Sequence, residues 1–176
     1  MFNIDFKNIS NFSNVSDYLP ILNAVIITDI FVILLLLRKL INSSVLKIWY
    51  RDFSLGAVIA DVLIIFIGII IARFIYPYIF DKYSLIQFIG LVVVIQVIHD
   101  ILFYLFVSSV PRGVSKILDV FKDYGKENGI TAIISDSAMM ISSVLIASYL
   151  KGQSLNTNII VLIVSVYLVP YFIYSI

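Results

Sequence analysis

The chain has 176 residues, 61% of them apolar and only 13% charged, with a net charge of +1. Soluble domains run near half apolar and a quarter charged, so a mean hydropathy of +1.08 excludes that class and points to an integral membrane protein. The near-neutral balance leaves no electrostatic footprint for nucleic acid, and the absence of cysteine removes disulfides, thiolate metal sites and cysteine nucleophiles.

Residues 1–18 are polar and lack the basic start of an export signal. Asn8, Asn11 and Asn14 each begin an Asn-x-Ser triplet, formally a glycosylation acceptor. They lie very close to the first apolar run, so a short disordered polar tail is the plainer expectation.

Five segments are long and apolar enough to cross about 30 Å of hydrocarbon: about 19–37, 53–75, 85–110, 130–150 and 159–176. Pro20 suits a helix start, Pro77 is expected to end the second span, and Pro111 stops the third. The runs are too long for strands and lack alternation, which argues against a β-barrel. The expected fold is an all-α integral membrane helical bundle of five transmembrane helices plus one interfacial amphipathic helix.

That sixth helix is read at about 113–125. Val114, Ile117, Leu118, Phe121 and Tyr124 recur at helical spacing, and Lys116, Asp119, Lys122, Asp123 and Lys126 fill the other face. Phe121 is thus expected at the membrane surface, as a connector or as part of a gating or docking helix. Trp49, beside Tyr50 and Arg51, occupies the place of an interfacial aromatic anchor.

Orientation follows the basic residues. Arg38, Lys39, Lys47 and Arg51 follow the first span, and Arg112, Lys116, Lys122 and Lys126 follow the third. These are eight of the twelve Lys and Arg residues, so that side is read as cytoplasmic and the N-terminus as outside. Arg73, near the outer end of the second span, is expected to snorkel to the interface.

Four carboxylates interrupt the apolar runs: Asp29, Asp61, Asp100 and Asp136. Each costs roughly 2.5–3.5 kcal/mol at the bilayer centre on insertion scales, unless it is paired, hydrated or protonated. At about 1.5 Å per residue, all four fall roughly 9–15 Å from the same interface, so they can share one layer. The residues before each acid are similar (Ile-Ile-Thr-Asp29, Val-Ile-Ala-Asp61, Val-Ile-His-Asp100, Ile-Ile-Ser-Asp136), as an internal duplication or low-complexity apolar sequence would produce. Gln96 and Asp100 share a helix face with His99 beside them. That group suits a proton relay or half of a metal site, or else hydrogen bonding that fixes helix packing. Small residues four apart, Gly56 with Ala60, Gly68 with Ala72 and Ser143 with Ala147, put the second and fourth spans in the interior. The fifth span is expected at the periphery, facing lipid or an oligomer contact.

Trp49-Tyr50-Arg51 through Gly56-Ala57-Val58-Ile59-Ala60-Asp61 to Ala72-Arg73, Gln96-Val97-Ile98-His99-Asp100, Pro111-Arg112-Gly113 and Ser135-Asp136-Ser137 resemble an uncharacterised family of multi-pass membrane proteins of large DNA viruses of algae and protists. The resemblance implies a viral or virus-modified host membrane and supplies no mechanism.

Three functions fit these residues. A small proton- or cation-handling transporter or channel would use the acid layer and His99, with a bound cation and a homo-oligomer as expected companions. A structural or assembly protein would use buried acids to specify helix packing. A metal-dependent membrane enzyme fits least, because the acids lie deep and far apart in sequence. No cofactor is evident, and the lipid bilayer is the expected partner.

Overall fold

A computed structural model describes residues 5–176. Seven α-helices follow a short 3-10 turn at Val15–Asp17 and, among the described residues, there is no strand. They are α1 Tyr18–Leu37, α2 Ser44–Phe53, α3 Leu55–Ile79, α4 Leu85–Ser109, α5 Lys116–Asn128, α6 Ile130–Leu150 and α7 Leu155–Ile173. Five of them, α1, α3, α4, α6 and α7, are long and apolar enough to cross a membrane. With no water to bond backbone groups in hydrocarbon, a helix that satisfies its own amides is the form such segments take. Apolar side chains of α3, α4 and α7, among them Ile67, Phe74, Leu102, Phe106 and Ile163, point outward as a lipid-facing surface.

Several elements differ from expectation, among them the fifth span, which runs Leu155–Ile173 in place of 159–176, and α5, which begins at Lys116. α3 continues through Pro77 to Ile79, because a proline in the last turn removes only one amide hydrogen bond. α5 passes Gly125 and stops at Gly129, whose φ of +49° suits glycine. The connection after the first span is itself a helix, α2. Ser43 caps it by accepting a bond from the Leu46 amide at 3.1 Å, and Val45, Trp49 and Tyr50 are buried from its inner face.

α1 is the central helix. It is buried on more of its surface than any other span, as expected of a helix apolar on all sides, and it packs mainly on α6 and α7 and also on α3. The sequence puts the second and fourth spans in the interior, but α1 is more buried than either. The small-residue pairs divide accordingly. Ala72, Ser143 and Ala147 are fully buried, and a Cβ on Gly68 would come within 2.5 Å of the Met140 methyl, so Gly68 sets the close approach of α3 to α6. Gly56 and Ala60 make no such contact: both are exposed, nothing lies within 4 Å of a Cβ built on Gly56, and Ala60 borders a cavity. α7 is largely exposed, yet buried Asn158 joins it to α1, where the Asn23 amide donates to the Asn158 carbonyl at 2.8 Å.

Residues 5–17 form no free tail. Ile9 and Asp17 are fully buried, and the Lys7 amide bonds the Ser148 carbonyl at 3.0 Å. Arg73 is the largest fully buried side chain. It donates to the carbonyls of Asn11 and Asn14 and to Asp17 at 3.3 Å, and it lies 4.8 Å over the Tyr18 ring. Lys151 completes the arrangement with a 2.8 Å ion pair to Asp17. Arg73 therefore does not snorkel. Folding back, the N-terminal segment brings carbonyls and a carboxylate to it, which a guanidinium satisfies better than headgroup water would.

The order span, surface helix, span occurs twice, as α1–α2–α3 and as α4–α5–α6. Both surface helices begin at a capping serine, Ser43 and Ser115. Both turn into the next span through one residue of nearly identical backbone, Ser54 (φ 47°, ψ −121°) and Gly129 (φ 49°, ψ −123°). Asp61 and Asp136 each follow that turn by seven residues. The likeness of the sequences around the acids thus has a counterpart in the geometry.

Candidate functional site

A cavity of about 1020 Å³ lies on the side of the bundle that carries α2 and α5. Asp61 of α3, Asp100 of α4 and Asp136 of α6 all line it, together with Gln96 and His99. Three of the four intramembrane acids thus meet at one cavity. Asp29 is not in its wall.

Each carboxylate is held differently. Asp61 accepts from the Trp49 indole N–H, at 3.0 Å to one oxygen and 3.3 Å to the other. Trp49 reaches it because α2 folds back under α3, and the ring is only 4% exposed. It is therefore a buried partner of Asp61, in place of the expected headgroup anchor, because an indole N–H taken into an apolar site needs an acceptor. Asp100 accepts from the Gln96 amide at 2.6 Å and lies 3.3 Å from His99 Nδ1, as one helical turn dictates for residues four apart. Its second oxygen is buried and has no hydrogen-bond partner. Asp136 also accepts no hydrogen bond, although Asp100, Asp61 and His99 are within electrostatic reach.

Asp29 is fully buried behind the cavity, where the Tyr50 hydroxyl donates to it at 2.9 Å. Its other oxygen has no partner. Burial, reinforced by the charges of Asp61 and Asp29, pushes the Tyr50 phenol well above its ordinary pKa. Tyr124 of α5 is raised in the same way, by burial and then by Asp136, Asp61, Asp100 and Glu127. Both phenols therefore stay protonated and able to donate.

Aromatic rings line the cavity near α2 and α5. Phe121 of α5 packs at a tilt on Trp49 of α2 with ring centroids 4.9 Å apart, and it meets Phe103 of α4 edge to face at 5.0 Å. Phe121 is half-buried in this contact. Phe103 in turn stacks on His99 at 5.7 Å. The two surface helices are also joined at their ends. Glu127 accepts from the hydroxyls of Ser43 and Ser44 and from the Val45 amide, so the end of α5 caps the start of α2. Those bonds hold the Glu127 carboxyl below its usual range, and the N-terminal dipole of α2 favours the same charge.

Toward the opposite side the bundle is closed. Thr28 and Ser143 bond across α1 and α6 at 3.1 Å, Asn23 meets Asn158, and the Arg73–Asp17–Lys151 group lies beyond. Access is one-sided.

Sequence reasoning missed Tyr50 as a partner of Asp29, Tyr124 above the acid layer, and Glu127 as a cap. The signal for α2 was present: Ser43-Ser44 precedes Val45, Leu46, Trp49, Tyr50 and Phe53 at helical spacing. Among the described residues no three His, Asp or Glu side chains converge closely enough to ligate one metal ion.

The chain matches no protein family model, no curated protein and no solved structure.

Proposed function

We propose that this is a membrane protein that takes a cation, the proton first, into the cavity bounded by Asp61, Asp100 and Asp136. The observation that carries this reading is Asp136, a carboxylate at membrane depth facing a cavity with no hydrogen-bond partner. A carboxylate at that depth is costly unless cavity water, a proton or a cation meets it, and each of these brings a proton or cation within its reach. His99 beside Asp100 supplies a second proton carrier. The carboxylates surround the cavity without converging, an arrangement that suits protons passed between groups better than one tightly ligated metal ion. The Lys and Arg residues near α2 and α5 support a reading in which the cavity mouth faces the cytoplasm and the N-terminus lies outside. On that orientation, the closed far half of the bundle corresponds to an inward-facing state.

A packing role is favoured for Asp29 alone, and partly for Asp61. Their bonds to Tyr50 and Trp49 hold α2 against α1 and α3, as an assembly protein of a viral or host membrane would also require.

The test is flux in proteoliposomes carrying a pH-sensitive dye, under an imposed potential. Wild type is expected to pass protons, and Asp136→Asn and Asp100→Asn to reduce the rate at least tenfold while keeping wild-type helical content. Wild-type vesicles no leakier than empty ones, across a range of pH and of small cations, would overturn the reading.

A further inference from the structure

A cavity of about 1020 Å³ is far larger than a proton or a dehydrated metal ion needs, and falls at the upper end of the range for organic ligands. Its wall is mostly apolar, with aromatic rings of Trp49, Phe103, Phe121 and Tyr124. Against that background it presents three carboxylates, and His99 is the one group in the wall that can carry positive charge. The buried second oxygen of Asp100 and the unpartnered carboxylate of Asp136 are free acceptors.

α1 and α6 are joined at Thr28 and Ser143. Nearer α2, Phe31 of α1 and Ser135 and Ala138 of α6 line the cavity, and all three side chains are exposed, so this stretch is where a slot toward the bilayer would lie. Phe31 is six residues from the end of α1, or roughly 9 Å at the helical rise, which places this slot within the hydrocarbon.

We propose that the cavity binds an amphiphilic organic cation, an amine on an apolar body, that enters from the bilayer through the slot between α1 and α6. This rests on the cation reading above and names its substrate class. The ammonium group would sit between Asp100 and Asp136. The aromatic rings would hold the carbon next to the charge, where ring faces attract cations, and the chain would follow the slot toward lipid.

Trp49 is the chain's only tryptophan and lies in the cavity wall, so its emission reports occupancy directly. The probe is a bromine-bearing long-chain primary amine, a contact quencher, added to phosphatidylcholine proteoliposomes. The alcohol and carboxylate of the same chain are run in parallel. Saturable quenching is expected from the amine at a concentration at least tenfold below that of the alcohol. Asp100→Asn and Asp136→Asn should each abolish this preference, whereas Asp136→Glu and the exposed α5 variant Asp123→Asn should keep it. Short-chain butylamine should not displace the probe.

Equal quenching by amine and alcohol would overturn the proposal, since a lipid-filled groove behaves that way. So would a preference that survives in both Asn variants, and displacement by butylamine would refute entry from the bilayer. Proton flux that persists without amine selectivity defeats this inference alone, and loss of both defeats the cation reading with it.

Discussion

Replacing Arg73 with alanine is expected to destabilise the protein by about 3–5 kcal/mol, the range for removing one partner of a buried ion pair. Arg73 and Asp17 are both fully buried. Without the guanidinium, Asp17 keeps Lys151 and Asn14, but the carbonyls of Asn11 and Asn14 lose their shared donor. Residues 5–17 should then detach from the end of the bundle away from α2 and α5, and a protease added to the detergent-solubilised protein should cut there in the variant and not in the wild type. Arg73→Lys should fall between, because all three bonds come from one guanidinium nitrogen, Nη2, and an ammonium on the shorter lysine stem replaces it only in part. A snorkelling arginine would behave otherwise: its loss would change stability by under about 0.5 kcal/mol, as surface changes do. Thermal unfolding in detergent, followed by helical circular dichroism, separates the two.

The second large effect is expected at Tyr50. Tyr50→Phe removes the single hydrogen bond that Asp29 receives and leaves a fully buried carboxyl with none. The loss should be about 1–3 kcal/mol, the desolvation cost of an orphaned polar group. Removing both partners is different. Asp29→Leu with Tyr50→Phe should recover most of the stability, since apolar replacement of a buried pair can be nearly neutral. Proton flux should survive in that double variant, because Asp29 stands outside the cavity wall. A stable double variant without flux would instead put Asp29 on the proton's path.

The five spans were legible because length and hydropathy together determine them, and α1, α4 and α6 begin or end within a residue or so of the expected limits. That acids from different spans can meet at one level was also legible, since a fixed helical rise converts residue counts into height, and Asp61, Asp100 and Asp136 do line one cavity. Contacts between segments distant in sequence were not. Arg73 looked like an interface residue because its partners, Asn11, Asn14 and Asp17, lie about sixty positions away in a stretch with no periodicity. Trp49 and Tyr50 looked like a headgroup anchor because a ten-residue helix is too short to register against five long apolar runs. Its inward turn depends on Ser54, a non-glycine residue at φ 47° that propensity does not foretell. The separation of Asp29 from the other three acids was illegible for the same reason. It follows from which helix face meets α2, and uniformly apolar helices carry no moment that reveals a face.

The central claim is that Asp136 faces a cavity that water reaches from the α2/α5 side and not from the opposite end of the bundle. The chain contains no cysteine, so single-cysteine variants need no background changes. Thiols react as thiolates and require water to ionise, which makes a membrane-impermeant maleimide a direct probe. Asp136→Cys in sealed, oriented vesicles should be labelled from the α2/α5 side and not from the other, and Ser148→Cys, fully buried toward the opposite end of the same helix, should be labelled from neither. Labelling of Asp136→Cys only from the opposite side, or from neither side while the protein remains folded, would contradict the account.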